Sequence, residues 1–168
     1  MTAGRVVCDA SALVELLLGT RAGDAVDRAL RDRAVADVPA LCDIEVCAAA
    51  RSQVARGVLA ASRAEELLAD LADLPIVSWP HAPLLGRVWA LRENVSAYDA
   101  VYIALAESLE AQLVTADRHT HVFPRGETRW VTAITSMAET AATALASRRS
   151  AVTSWASSDS ASATYTAS

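Results

Sequence analysis

Lysine is missing altogether: all fifteen basic residues of the 168-residue chain are arginine. That absence excludes a Walker A P-loop, a Schiff-base enzyme, a Ser-Lys hydrolase and a kinase, each of which needs a lysine at its centre. Cysteine is scarce, with Cys8, Cys42 and Cys47 making an odd number and no C-x-x-C pair. A disulfide framework or a zinc knuckle is therefore not expected, and small buried thiols are. No apolar run reaches the roughly 18 residues of a spanning helix. Asp9 and Glu15 interrupt the apolar N-terminal stretch, so it does not read as a signal peptide, and a cytoplasmic protein without membrane attachment is expected. Positive charge is also short, since a net charge of −5 does not advertise a nucleic-acid partner.

What is present is enough for one domain with a real core. The chain is 53% hydrophobic and 21% charged, which is neither disordered nor membrane-like as a whole. Composition shifts near the C-terminus, where Ser147 to Ser168 is dominated by Ser, Thr and Ala and reads as a disordered tail. The expected organisation is a main body over residues 1–133, a helical extension over 134–146 and the tail over 147–168.

Within the body, short β-branched runs alternate with amphipathic stretches. Strands are predicted at Arg5 to Cys8, Val35 to Val38, Pro75 to Trp79, Leu113 to Thr115 and Arg129 to Thr132. Helices are predicted near Ser11 to Leu18, Ala22 to Arg33, Ala40 to Arg56 (opened by Pro39 and stopped by Gly57), Ala60 to Asp73, Leu84 to Leu91 and Ala97 to Leu109, with a terminal one at Ser136 to Ala146. The pattern is α/β: a parallel sheet of four or five short strands between helical layers, with functional groups gathered outside the carboxyl ends of the strands.

Acids stand at those places. Asp9 ends the first strand in VVCDAS, Asp117 follows the strand LVT, Asp99 lies in the first turn of the helix SAYDAVYIALAE, and Glu45 lies early in the helix PALCDIEV, with Asp43 its alternative. Each has an ordinary structural explanation. Ser96-x-x-Asp99 is a capping pattern, Asp117 can start an Asx-turn, Asp9 can cap the next helix, and Glu45 can be a solvated helix residue. Taken together they suggest more. Glu45 sits at the border of an apolar face, and Asp99 is followed by Tyr102, Ile103 and Ala106 at helical spacing, which places it on the buried side. Carboxylates brought together in a half-buried place repel one another unless a cation relieves them. An all-oxygen set suits the hard ions Mg2+ and Mn2+.

The strings VVCDASALVELLLG, PALCDIEVCAAARSQVARG, SAYDAVYIALAE and LVTADRH occur in this order and at this spacing, and over about Arg5 to Val131 the chain resembles the PIN-domain ribonucleases, specifically VapC-type toxins of toxin–antitoxin pairs. The resemblance implies a PIN-like three-layer fold and makes Asp9, Glu45, Asp99 and Asp117 the catalytic, metal-binding acids. It makes Ser11 and Thr115 the small hydroxyl residues that brace them. It further implies Mg2+ or Mn2+ as cofactor, water attack on an RNA phosphodiester leaving a 5′-phosphate and a 3′-hydroxyl, a cognate antitoxin as partner, and a homodimer. Arg118, His119 and Arg92 are the candidate RNA contacts near such a site.

Rival patterns fail at single residues. A DxD phosphatase needs an acid where Ser11 stands, a D-x-S-x-S adhesion motif needs Ser where Leu13 stands, and no G-x-S-x-G elbow is present. The remaining alternative is a PIN-like binding module that has lost activity, against which stands the presence of all four acids.

Overall fold

The computed structural model describes residues 4–31 and 35–117, and the backbone of the strand at 131–133. The proposed segments 134–146 and 147–168, and the candidate RNA contacts Arg118 and His119, lie outside the described residues.

Chain order is β1 (Val6–Cys8), α1 (Ala10–Leu18), α2 (Arg21–Leu30), β2 (Ala36–Pro39), α3 (Cys42–Ala55), α4 (Ala61–Ala72), β3 (Ile76–Trp79), a short 3-10 turn (Ala82–Leu84), α5 (Leu85–Ala90), α6 (Ala97–Ser108), β4 (Gln112–Thr115) and β5 (Val131–Ala133). The strands form one sheet in the order β3-β2-β1-β4-β5, parallel throughout. β1 lies at its centre, and Val6, Val7 and Cys8 are fully buried. A strand covered on both faces needs no polar alternation, which is why VVC reads as a continuous apolar run.

Handedness assigns the helices to layers. The crossovers from β1 to β2 and from β2 to β3 step one way across the sheet, and the crossover from β3 to β4 steps back the other way. Right-handed crossovers then place α1–α4 on one face and α5–α6 on the other, a three-layer arrangement. The packing agrees: α1 lies against α2, α3 and α4, while α6 crosses β1, β2 and β4 and carries α5 on its outer side.

Two local features make this compact. Gly19 closes α1 in the left-handed conformation (φ 64°), so the chain turns at once into α2. Gly23 lets α2 press on α1, because a Cβ there would sit 2.2 Å from the carbonyl oxygen of Glu15. On the sheet, Asp37 of β2 is 1% exposed and accepts hydrogen bonds from Arg5 (3.0 and 2.6 Å) and from Nε1 of Trp79 (2.8 Å). That network ties β1, β2 and β3 in register.

Among the described residues the sequence-based elements are found with shifted ends, and one assignment is corrected; the helix expected at Ser136 to Ala146 lies outside them. Pro39 does not open the third helix; it is the last residue of β2, and α3 starts at Cys42. The strand tolerates it because the amides bonding β3 belong to residues on either side, with Ala36 N to the Pro75 carbonyl (3.1 Å) and Ala40 N to that of Trp79 (2.9 Å). The missing N–H of Pro39 falls where β1 no longer pairs with β2, whose register with β1 is at Val7 and Asp37. Among the described residues no helix is long and apolar enough to cross a membrane.

Candidate metal site at the strand ends

Strand order reverses direction at β1, with β2 and β3 on one side and β4 and β5 on the other. The crevice beyond the carboxyl ends of β1 and β4 is therefore the place where this topology leaves room for a ligand. Asp9 directly follows β1 and is the N-cap of α1. Asp117 stands just past the end of β4. Glu45 projects from the first turn of α3, and Asp99 from the first turn of α6. All four, with Ser11, line one pocket of about 440 Å³.

Asp9 is the most firmly built of the four. Its Oδ2 accepts hydrogen bonds from Ser11 Oγ (2.9 Å) and from Thr115 Oγ1 (2.5 Å), and Oδ1 accepts a long one from the Ser11 amide (3.4 Å). Ser11 Oγ in turn accepts from the Ala116 amide (3.0 Å), and Thr115 Oγ1 from the Asp117 amide (3.1 Å). Each hydroxyl has a single proton. With both protons spent on Oδ2, the 3.2 Å approach of the two hydroxyl oxygens is a contact imposed by their shared acceptor. The result is asymmetric: Oδ2 is saturated, and Oδ1 keeps lone-pair capacity for a cation.

Glu45 Oε2 accepts from the hydroxyl of Tyr102 at 2.6 Å. Asp99 Oδ2 accepts from Ser96 Oγ (2.6 Å), whose oxygen accepts from the Asp99 amide (3.1 Å) and so caps α6. The capping pattern read from Ser96-x-x-Asp99 and the placement of Asp99 in the pocket are thus both real. Asp99 is not buried, however; it is exposed. Every residue from Ala100 to Ala106 is buried, so α6 has no polar stripe to mark a face. What exposes Asp99 is its position along the axis, at the end that emerges from the layer.

Electrostatics bind the cluster together. Burial pushes the Asp9 carboxyl up; the Thr115 and Ser11 hydrogen bonds oppose this, and the charge of Asp99 adds to it. Glu45 is also pushed up, first by burial, with Tyr102 opposing and the charges of Asp9 and Asp99 reinforcing. Behind them, burial drives the Cys42 thiol up to about 12 and Tyr102 well above its ordinary value, so both stay protonated at neutral pH. Mutual repulsion among oxygen donors is the condition a hard divalent cation relieves, and the donor set fits Mg2+ or Mn2+. Among the described residues no three His, Cys, Asp or Glu side chains lie close enough together to hold a metal ion as they stand. Glu45 and Asp99 are each held by a hydroxyl, of Tyr102 and of Ser96.

Glu15 also lines the pocket and was not singled out from sequence. It lies one turn beyond Ser11 on α1, and its carboxylate accepts from Thr20, the N-cap of α2. The signal was its i+4 spacing from Ser11 in an otherwise apolar helix. Arg92 does not line the pocket; it pairs with Glu93 (3.2 Å) and lies over the ring of Trp89 (4.9 Å).

Known proteins carry the same arrangement of sequence. The family model of the PIN domain matches residues 6–126. Ribonuclease VapC12 of Mycobacterium tuberculosis is 40% identical over 112 residues, covering 67% of this chain and 86% of that protein. Ribonuclease VapC1 of the same organism is 38% identical over 112 residues, covering 66% and 84%. Among solved structures, PAE2754 from Pyrobaculum aerophilum superimposes with a TM-score of 0.56 at 23% identity, over 76% of this chain and 83% of that one, a likeness of fold. Matched by the PIN model over most of its length and aligned along most of two VapC ribonucleases, the chain belongs to the PIN-domain family, in its VapC-type branch.

Proposed function

We propose that the protein is a Mg2+- or Mn2+-dependent endoribonuclease, the toxin of a toxin–antitoxin pair. The observation that carries this reading is the convergence of Asp9, Glu45, Asp99 and Asp117, from four separate elements, on one pocket at the carboxyl ends of β1 and β4. The names of the VapC relatives supply the substrate class. Asp9, Glu45, Asp99 and Asp117 would hold the metal, and the chemistry it supplies when bound is activation of water and neutralisation of charge on an RNA phosphodiester. Ser11 and Thr115 hold Asp9 in one orientation. The acidic pocket suits a basic side chain from an antitoxin, because charge complementarity gives specificity at such a mouth. RNA affinity would be modest and salt-sensitive for a chain of net charge −5.

A homodimer in the cytoplasm remains part of the proposal.

The test is cleavage of an RNA pool by the purified protein in Mg2+ or Mn2+. Activity should disappear with a chelator and with Asp9→Ala or Asp99→Asn. Cleavage that survives both substitutions would be a contaminant's, and the absence of divalent-dependent cleavage in the wild type would refute the reading.

A further inference from the structure

Four carboxylates of the pocket are held by hydroxyls: Asp9 by Ser11 and Thr115, Glu15 by Thr20, Asp99 by Ser96, and Glu45 by Tyr102. A neutral O–H donor fixes the orientation of a carboxylate without cancelling its charge, which an arginine would do. Ser11, Thr20 and Ser96 act within five positions of their carboxylates, and Thr115 reaches Asp9 from the adjacent strand β4. Tyr102 reaches Glu45 from a different helix, 57 positions away.

We propose that Tyr102 is a positioning residue for the metal site, its hydroxyl clamping Oε2 of Glu45 so that Oε1 serves the cation. This rests on the divalent-metal reading above. Tyr102 is 3% exposed, and a buried phenol needs a partner for its O–H. Its hydroxyl donates to Glu45 Oε2 at 2.6 Å. Tyr102 is also three residues after Asp99, on the same side of α6. One helix therefore supplies one carboxylate and clamps another that α3 supplies, setting the span between them. Glutamate has one more rotatable bond than aspartate, so Glu45 has the most freedom to lose.

The experiment is calorimetric titration of the full chain with Mn2+ alone, alongside cleavage at varied Mn2+. Tyr102→Phe keeps the ring and removes the donor. It should weaken Mn2+ binding about tenfold, as loss of a partner to a metal ligand does. The Mn2+ concentration for half-maximal cleavage should rise equally, while the rate at saturating Mn2+ changes little. Placing p-aminophenylalanine at position 102 restores a donor and should recover the affinity; it also serves if the Phe variant folds poorly. Unchanged Mn2+ affinity in Tyr102→Phe, or no recovery with the restored donor, overturns the proposal while leaving the nuclease reading intact. A wild type that binds no Mn2+ and cleaves no RNA overturns both.

Discussion

Replacing Thr115 with valine removes one hydroxyl and almost no volume from a side chain that is wholly buried. Two groups lose a partner: Asp9 Oδ2 loses a donor at 2.5 Å, and the Asp117 amide loses an acceptor at 3.1 Å. A hydrogen bond to a charged group contributes about 1.5–3 kcal/mol, and the amide stands at the open end of β4, where water can replace its acceptor. The expected cost at neutral pH is therefore about 2–3 kcal/mol, which for a chain of this size lowers Tm by roughly 4–12 °C. The cost depends on pH with a definite sign. Asp9 has a folded-state pKa above its ordinary value because burial outweighs its hydroxyl donors. Its contribution to stability is thus greatest at low pH and is lost as pH rises through the raised value. Thr115→Val removes one of the opposing donors and raises that value further. The difference between the proteins should be full above both values and should shrink as pH falls below them, where the carboxyl is protonated in each. Thermal melts in chelator at acid and neutral pH measure this. A Tm difference that is the same at both, or absent at neutral pH, would refute the assignment of Thr115 as the brace of an ionised Asp9.

Asp37→Asn should cost about 2–3 kcal/mol, below the usual value for breaking a buried pair because Arg5 is half exposed and can turn to water; an unchanged urea midpoint would contradict the network. Gly23→Ala should destabilise by about 2–4 kcal/mol, since its Cβ meets the backbone oxygen of Glu15 and the two helices must separate. A melt within a degree of wild type would show that the α1–α2 approach is looser than 2.2 Å implies. Mn2+ at about a hundredfold above its Kd should raise stability by about 2.7 kcal/mol, seen as a Tm increase that Asp9→Ala abolishes. An equal rise in that variant would place the ion elsewhere.

Much of this was legible in the sequence because local and global signals agree. VVC reads as a doubly covered strand and is one; Ser96-x-x-Asp99 reads as a cap and is one. Asp9 and Asp117 were found from a rule about strand ends, which needs the strands but not their order. What stayed hidden is what depends on the third dimension. Periodicity placed Asp99 on a buried side because α6 is apolar all round, so its exposure follows from where the helix emerges. Pro39 looked like a helix start because the sequence does not show which side of β2 needs donors. Tyr102 was visible as a core residue, but its hydroxyl's partner lies on another helix. Glu15 looked like an interruption of an apolar run until the pocket closed around it.

The ordinary and the functional explanations of these acids do not compete. Asp9 caps α1, Asp99 lies in the first turn of α6, and Glu45 lies in the first turn of α3. Three helices therefore begin at the pocket, and the amide end of a helix carries partial positive charge that favours a carboxylate. That field offsets part of the repulsion that gathering acids creates, and the hydroxyl braces fix each side chain without neutralising it. Burial still leaves Asp9 and Glu45 raised, so the offset is incomplete. An incomplete offset is what a cation site requires: enough stabilisation for the acids to converge, and enough remaining negative charge to bind an ion. The helix caps are then the means by which this fold holds its acids in place.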